Sequence, residues 1–73
     1  MPHITVELYE GRSDEEKRVI AKCVRDALCS QTGHRAGAVS VSVVDVPKEQ
    51  WKSQVYDRIK ADENLVLEPD YEM

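Results

Sequence analysis

Apolar and polar residues alternate from the start of the chain. Ile4, Val6 and Leu8 are interleaved with His3, Thr5, Glu7 and Tyr9, a period of two that gives a strand one face for a core. Glu10-Gly11-Arg12 interrupts the pattern. Ser13, followed by Asp14, Glu15 and Glu16, is a capping-box sequence with carboxylates in the first turn, where the helix dipole favours them. A helix is therefore predicted to begin there. Val19, Ile20, Cys23, Val24, Ala27 and Leu28 recur at helical spacing and predict one buried face, and Thr32-Gly33-His34 supplies the stop. Cys23 falls on that apolar stripe and is expected in the core; Cys29 lies on a different face. Ala36-Gly37-Ala38 leads into a second β-branched run, Val39 to Val46, with Val39, Val41 and Val43 on one side and Ser40, Ser42 and Val44 on the other.

A helix-sized crossover between two strands predicts that they run parallel as a right-handed βαβ unit. Pro47 suits a first helical turn, and Trp51, Val55 and Ile59 at four-residue intervals predict a second, shorter helix. Leu65-Val66-Leu67 fits either an extension of that helix or a short strand. Glu68-Pro69-Asp70 is a turn, which leaves Tyr71 and Met73 as candidate anchors. The predicted fold class is α+β, with residues 1–73 forming a single domain.

Two strands and one packed helix leave the other sheet face and both sheet edges uncovered, and a lone two-stranded sheet is marginal in water. A chain of 73 residues also buries only a modest fraction of its surface, so it needs staples, a metal or partners. Two cysteines without CxxC spacing, no signal-peptide pattern and no apolar run of membrane-spanning length point to a reducing cytoplasm, without disulfide, metal or cofactor. A second copy is thus the expected cover, with sheets packed between subunits and each chain start near a subunit boundary, where pockets commonly form. The net charge of -4 argues against nonspecific binding to nucleic acid or an anionic membrane.

Candidate chemistry begins at Pro2. Removal of Met1 would leave a secondary amine at the edge of a sheet, free of amide resonance and able to act as a general base. For the neutral amine to be populated near pH 7, apolar walls or repulsion from Arg12 must disfavour its ammonium form. Most Met-Pro beginnings carry no function, and the neighbours also have plainer readings. Arg12 in a turn is usually solvated surface, and Trp51 anchors a helix as readily as it lines a pocket. His3 alternates away from Ile4 as an exposed strand residue, and Ser40 and Ser42 need no role on a sheet face. The charged stretch from Lys48 to Glu63 is mostly a solvated helix face.

Taken jointly, Pro2 after the initiator Met, a short strand, Glu10-Gly11-Arg12-Ser13-Asp14-Glu15 with Lys17, a second strand at the right spacing and Trp51 resemble the 4-oxalocrotonate tautomerase family over roughly the first fifty positions. The resemblance implies a β-α-β subunit with the N-terminal proline as catalytic base, Arg12 as a carboxylate-binding group and Trp51 in an aromatic pocket. In the founding enzymes of that family an arginine on the second strand engages the substrate carboxylate. The matching position here is Ser40, and no other basic residue lies on that strand. Past Trp51 the chain has a polar helix in place of a glycine-rich hairpin that builds hexamers. Its ending, Glu68-Pro69-Asp70-Tyr71-Glu72-Met73, is similar to the dimeric phenylpyruvate tautomerase branch, which implies a homodimer over a hexamer.

The resulting expectation is a cofactor-free isomerase. It would interconvert enol and keto forms of a 2-oxo monocarboxylic acid such as phenylenolpyruvate, with Pro2 as proton shuttle and Arg12, Trp51, Ser40 and His3 around the substrate. Two alternatives stand beside it. A hydratase or dehalogenase of unsaturated acids would need an extra carboxylate to activate water, for which Glu7 and Asp45 are the residues to locate. The other is a non-enzymatic oligomeric binding module that retained the scaffold.

Overall fold

A computed structural model describes residues 1–73. Strand β1 (His3–Tyr9), helix α1 (Asp14–Thr32) and strand β2 (Ser40–Val46) form the predicted βαβ unit. The strands are parallel, with His3 beside Ser40, Thr5 beside Ser42 and Tyr9 beside Val46. The start of α1 follows from its cap. The Ser13 hydroxyl accepts from the Glu16 amide at 3.1 Å and the Glu16 carboxylate accepts from the Ser13 amide at 3.4 Å, so two otherwise orphaned donors are satisfied. Its end is set by Gly33, whose φ of 77° is the left-handed cap conformation and whose N–H donates to the Cys29 carbonyl at 2.9 Å.

Because side chains alternate across a strand, Ile4, Val6, Leu8, Val41 and Val43 share one sheet face. Helix α1 covers that face through Ile20, Ala21, Val24 and Leu28, all half-buried. Lys17 closes one end of the layer, donating to Asp45 of β2 at 2.9 Å. The predicted stripe is only partly covered. Val19 is 57 % exposed, and Cys23 and Ala27 are exposed with it, so Cys23 is not a core residue. Two strands are too narrow to cover the whole apolar arc, and the row at i, i+4 and i+8 is left bare.

The second sheet face is half covered, more than two strands and one helix would allow. Residues 48–60 form a continuous but irregular helical segment: a 3₁₀ turn at Lys48–Gln50, a π turn at Lys52–Tyr56 and a single α turn, α2, at Asp57–Lys60. It lies against the Tyr9 and Val46 end of the sheet. The wide π turn brings two consecutive residues inward, Val55 and Tyr56, which with Val46 are 4, 7 and 3 % exposed respectively. Strict four-residue spacing predicted Val55 but not Tyr56, since a π turn adds one residue to its hydrogen-bonded ring. After Lys60 the chain continues in turns without further helix or strand. Tyr71 ties this tail to Trp51 and Tyr56, although it is itself exposed, as is Met73.

The subunit exposes 5633 Å² of surface. A free-standing monomer of 8.3 kDa exposes about 4,600 Å². The excess, about 1,000 Å², is comparable to what one partner contributes to a standard protein interface, about 800 Å². No helix is long and apolar enough to cross a membrane.

Candidate active site

Pro2 lies immediately before β1, half-buried, and its carbonyl accepts from the Ser40 amide at 3.2 Å. That bond extends the parallel ladder by one step and fixes the strand's first residue to β2. The same serine holds His3: Ser40 Oγ is 2.6 Å from His3 Nδ1, and Ser42 Oγ is 3.3 Å from His3 Nε2. The imidazole is thus bracketed by two hydroxyls on the half of the sheet face that segment 48–60 leaves open. The alternation that places His3, Ser40 and Ser42 on one face was visible in sequence, but their mutual bonding depends on strand register. In the 73-residue chain the Pro2 nitrogen is an amide joined to Met1, and an amide nitrogen has no basic lone pair.

Arg12 lies at the far end of β1. Seven strand residues at about 3.3 Å each separate it from Pro2 by about 20 Å, too far for an arginine side chain to span. It projects from the turn around Gly11, whose φ of 115° is a conformation that favours glycine. The guanidinium is 51 % exposed and only loosely paired with Glu16, at 3.7 Å. Repulsion from Arg12 within the same subunit therefore cannot destabilise a Pro2 ammonium, because about 20 Å is more than twice the screening length at physiological salt, about 8 Å.

Trp51 also belongs to that far end. Its ring meets Tyr9 edge to face with centroids 5.0 Å apart, and its indole N–H donates to the Tyr71 hydroxyl at 3.1 Å. Tyr71 in turn lies 5.6 Å from Tyr56, centroid to centroid. Trp51, Tyr9 and Tyr71 line a shallow pocket of about 290 Å³ with Glu7 and Leu8. Trp51 is at once a packing residue and a pocket wall. Tyr9 follows from the β1 alternation; Tyr71 joins from twenty residues away, which no local pattern signals.

Both carboxylates considered for activating a water are engaged. Glu7 pairs with Arg58 and Asp45 with Lys17. The hydrogen bond that Lys17 donates to Asp45, helped by the charges of Asp45 and Asp14, raises the Lys17 ammonium above its ordinary range against a smaller opposing effect of desolvation. No three His, Cys, Asp or Glu side chains converge as metal ligands.

One subunit therefore separates the candidate residues into two groups, Pro2 with His3, Ser40 and Ser42 at one end of β1, and Arg12 and Trp51 at the other. The fold is shared with known proteins. The family model described as tautomerase enzyme matches residues 2–62. The chain is 41 % identical over 73 residues to the "Probable tautomerase" of Xylella fastidiosa, spanning 97 % of this chain and 89 % of that one. It is 33 % identical to the tautomerase PptA of Cronobacter sakazakii across the full length of both. Among solved structures, a 4-oxalocrotonate tautomerase isozyme from Methylibium petroleiphilum superposes with a TM-score of 0.65 at 38 % identity, over 68 % of this chain and 81 % of that one. The chain belongs to the tautomerase enzyme family, and it is an isomerase.

Proposed function

We propose that the protein, once Met1 is removed, catalyses keto–enol tautomerisation of a 2-oxo monocarboxylic acid such as phenylenolpyruvate, with the Pro2 amine shuttling the carbon-bound proton. The observation that carries this reading is the placement of Pro2, tied through its carbonyl to Ser40 at the open end of a polar sheet face. Trimming would leave the proline ring fixed by the ladder and its nitrogen at the chain end. The reaction needs a group that gives and takes a proton at carbon, and donors near the carboxylate and the developing enolate oxygen. Pro2 supplies the first. Ser40 stands where the family's second-strand arginine would be, so one carboxylate is recognised, by Arg12, and a second is not.

Arg12 and Trp51 reach Pro2 from another copy of the chain. The 20 Å along β1 forbids the meeting within a subunit, while the surplus exposed area and the bare Val19, Cys23 and Ala27 row on α1 support an interface. A homodimer is favoured over a hexamer, because the chain past Trp51 is a packed helical segment held by Tyr71. Water addition is disfavoured, since Glu7 and Asp45 are both neutralised by ion pairs.

Ketonisation of phenylenolpyruvate by Met1-trimmed protein, verified by intact mass, is the test. Activity should fall at least tenfold in Pro2→Ala and vanish in protein that retains Met1. Equal turnover with and without Met1 would sink the proline mechanism.

A further inference from the structure

The pocket beside Trp51 has a chemistry that its apolar walls do not account for. Trp51, Tyr9 and Tyr71 offer aromatic surface and Leu8 an aliphatic edge, but the Glu7 carboxylate and the Tyr71 hydroxyl share the same lining. We infer that this pocket receives the aryl ring of the substrate and selects rings that carry a hydroxyl, a para-hydroxyphenyl group above a phenyl group. The inference rests on the reading above, in which Trp51 of one copy meets substrate held at Pro2 of another.

The walls suit a single ring. Tyr9 and Trp51 meet at an interplanar angle of 83°, so their planes form a corner in which a third ring can lie along one and edge-on to the other, both favoured arrangements. The volume of about 290 Å³ is ample, since an apolar cavity of about 150 Å³ already holds benzene. Arg12 stands three residues beyond Tyr9 in the chain, so the proposed carboxylate contact and the ring pocket belong to the same end of β1.

Each polar group in the lining is committed on one side and open on the other. The Tyr71 oxygen accepts the indole N–H of Trp51, which leaves the hydroxyl's own hydrogen to donate. Glu7 gives Oε2 to Arg58 and keeps Oε1 as an acceptor. The pairing with Arg58 decides what that oxygen suits. An unpaired carboxylate would draw cations and repel an anionic 2-oxo acid, whereas one neutralised by a guanidinium can accept from a neutral O–H. A phenolic hydroxyl is such a group, donating to Glu7 and accepting from Tyr71. An unsubstituted ring would displace water from both groups and return no hydrogen bond to either, which is how a polar site rejects an analogue that lacks the hydroxyl.

The test uses Met1-trimmed wild-type, Tyr71→Phe, Glu7→Ala, Glu7→Gln and Pro2→Ala proteins. Wild type should favour para-hydroxyphenylenolpyruvate over phenylenolpyruvate about tenfold in kcat/KM. Tyr71→Phe and Glu7→Ala should each cut that ratio to about threefold or less, and Glu7→Gln, which keeps an acceptor, should hold it higher than Glu7→Ala does. Binding is read separately through Trp51 emission, with para-hydroxyphenylacetate and phenylacetate as probes that carry the ring and the carboxylate but no enol. The hydroxylated probe should bind about tenfold more tightly to wild type and to Pro2→Ala, and the difference should shrink in Tyr71→Phe and Glu7→Ala. Both measurements are ratios within one protein, so a fraction of misfolded variant cancels. Equal affinities for the two probes in wild type would overturn the pocket's selectivity, and so would a preference that survives in both Tyr71→Phe and Glu7→Ala. Undiminished turnover in Pro2→Ala would overturn the proline reading alone, because the probe titration does not depend on it.

Discussion

The indole N–H of Trp51 donates to the hydroxyl of Tyr71 at 3.1 Å, and this bond fastens the otherwise irregular C-terminal tail across the helical segment. Trp51 is the sole tryptophan, so its emission reports the contact directly. Tyr71→Phe keeps the ring beside Tyr56 but removes the acceptor. A loss of about 1 kcal/mol in urea unfolding and a shifted Trp51 emission are expected; an unchanged spectrum would show that the bond does not persist in solution.

Helix α1 should depend on its cap. Ser13→Ala removes the acceptor for the Glu16 amide and should destabilise the protein by about 1 kcal/mol, visible as a lower urea midpoint. Ser30→Ala, at an exposed position near the other end of the helix, is the control and should change stability by less than half as much.

Lys17 should shape the alkaline limb of stability. Its folded-state affinity for a proton is raised above that of the unfolded chain, chiefly by the Asp45 hydrogen bond. The contribution is therefore fully present below the ordinary lysine range and is lost as pH rises through the raised folded value. Lys17→Met should have a lower urea midpoint than wild type at neutral pH, and the gap should close as the pH passes above that range. A gap that stays constant would mean that the pair contributes nothing through its charge.

Much of the fold was legible because each signal was local. The β1 alternation, the Ser13 capping box and Gly33 each act within a few residues of themselves, and the structure reproduces all three. What escaped depended on distance or on a change of period. The π turn shifts the inward positions from single residues to the Val55 and Tyr56 pair, and no window tuned to helical spacing anticipates that. Exposure of Cys23 reflects the width of the sheet beneath it, which sequence periodicity does not encode. At the site, the residue types at Pro2, His3, Arg12, Ser40 and Trp51 could be read from the chain, but not their division into two distant groups. That division follows from strand length, and the pairing of His3 with both serines follows from register.

The proposed sharing of a site between copies predicts complementation. A Pro2→Ala subunit paired with an Arg12→Ala subunit carries both lesions in one site and neither in the other. Equal mixing after reversible dissociation should restore about a quarter of wild-type activity, because half of the dimers are mixed and half of their sites are intact. Recovery no greater than the sum of the two variants would place Pro2 and Arg12 of a working site in the same chain, against the geometry.

Sedimentation of the wild-type protein should give twice the mass of one 8.3 kDa chain, with thermal stability that rises with protein concentration. A concentration-independent monomer would leave the exposed α1 row and the surplus surface without an occupant, and a sixfold mass would overturn the reading of the tail.

Strand β1 also acts as a ruler. Its seven residues set the interval between the group at Pro2 and the group at Arg12, and in the proposed dimer symmetry would apply that interval to both sites at once. Inserting two residues would preserve which side chains face inward, so the subunit could still fold, yet it would displace the partners by about 7 Å. In the proposed dimer the length of this strand is consequently under a constraint that packing alone does not impose.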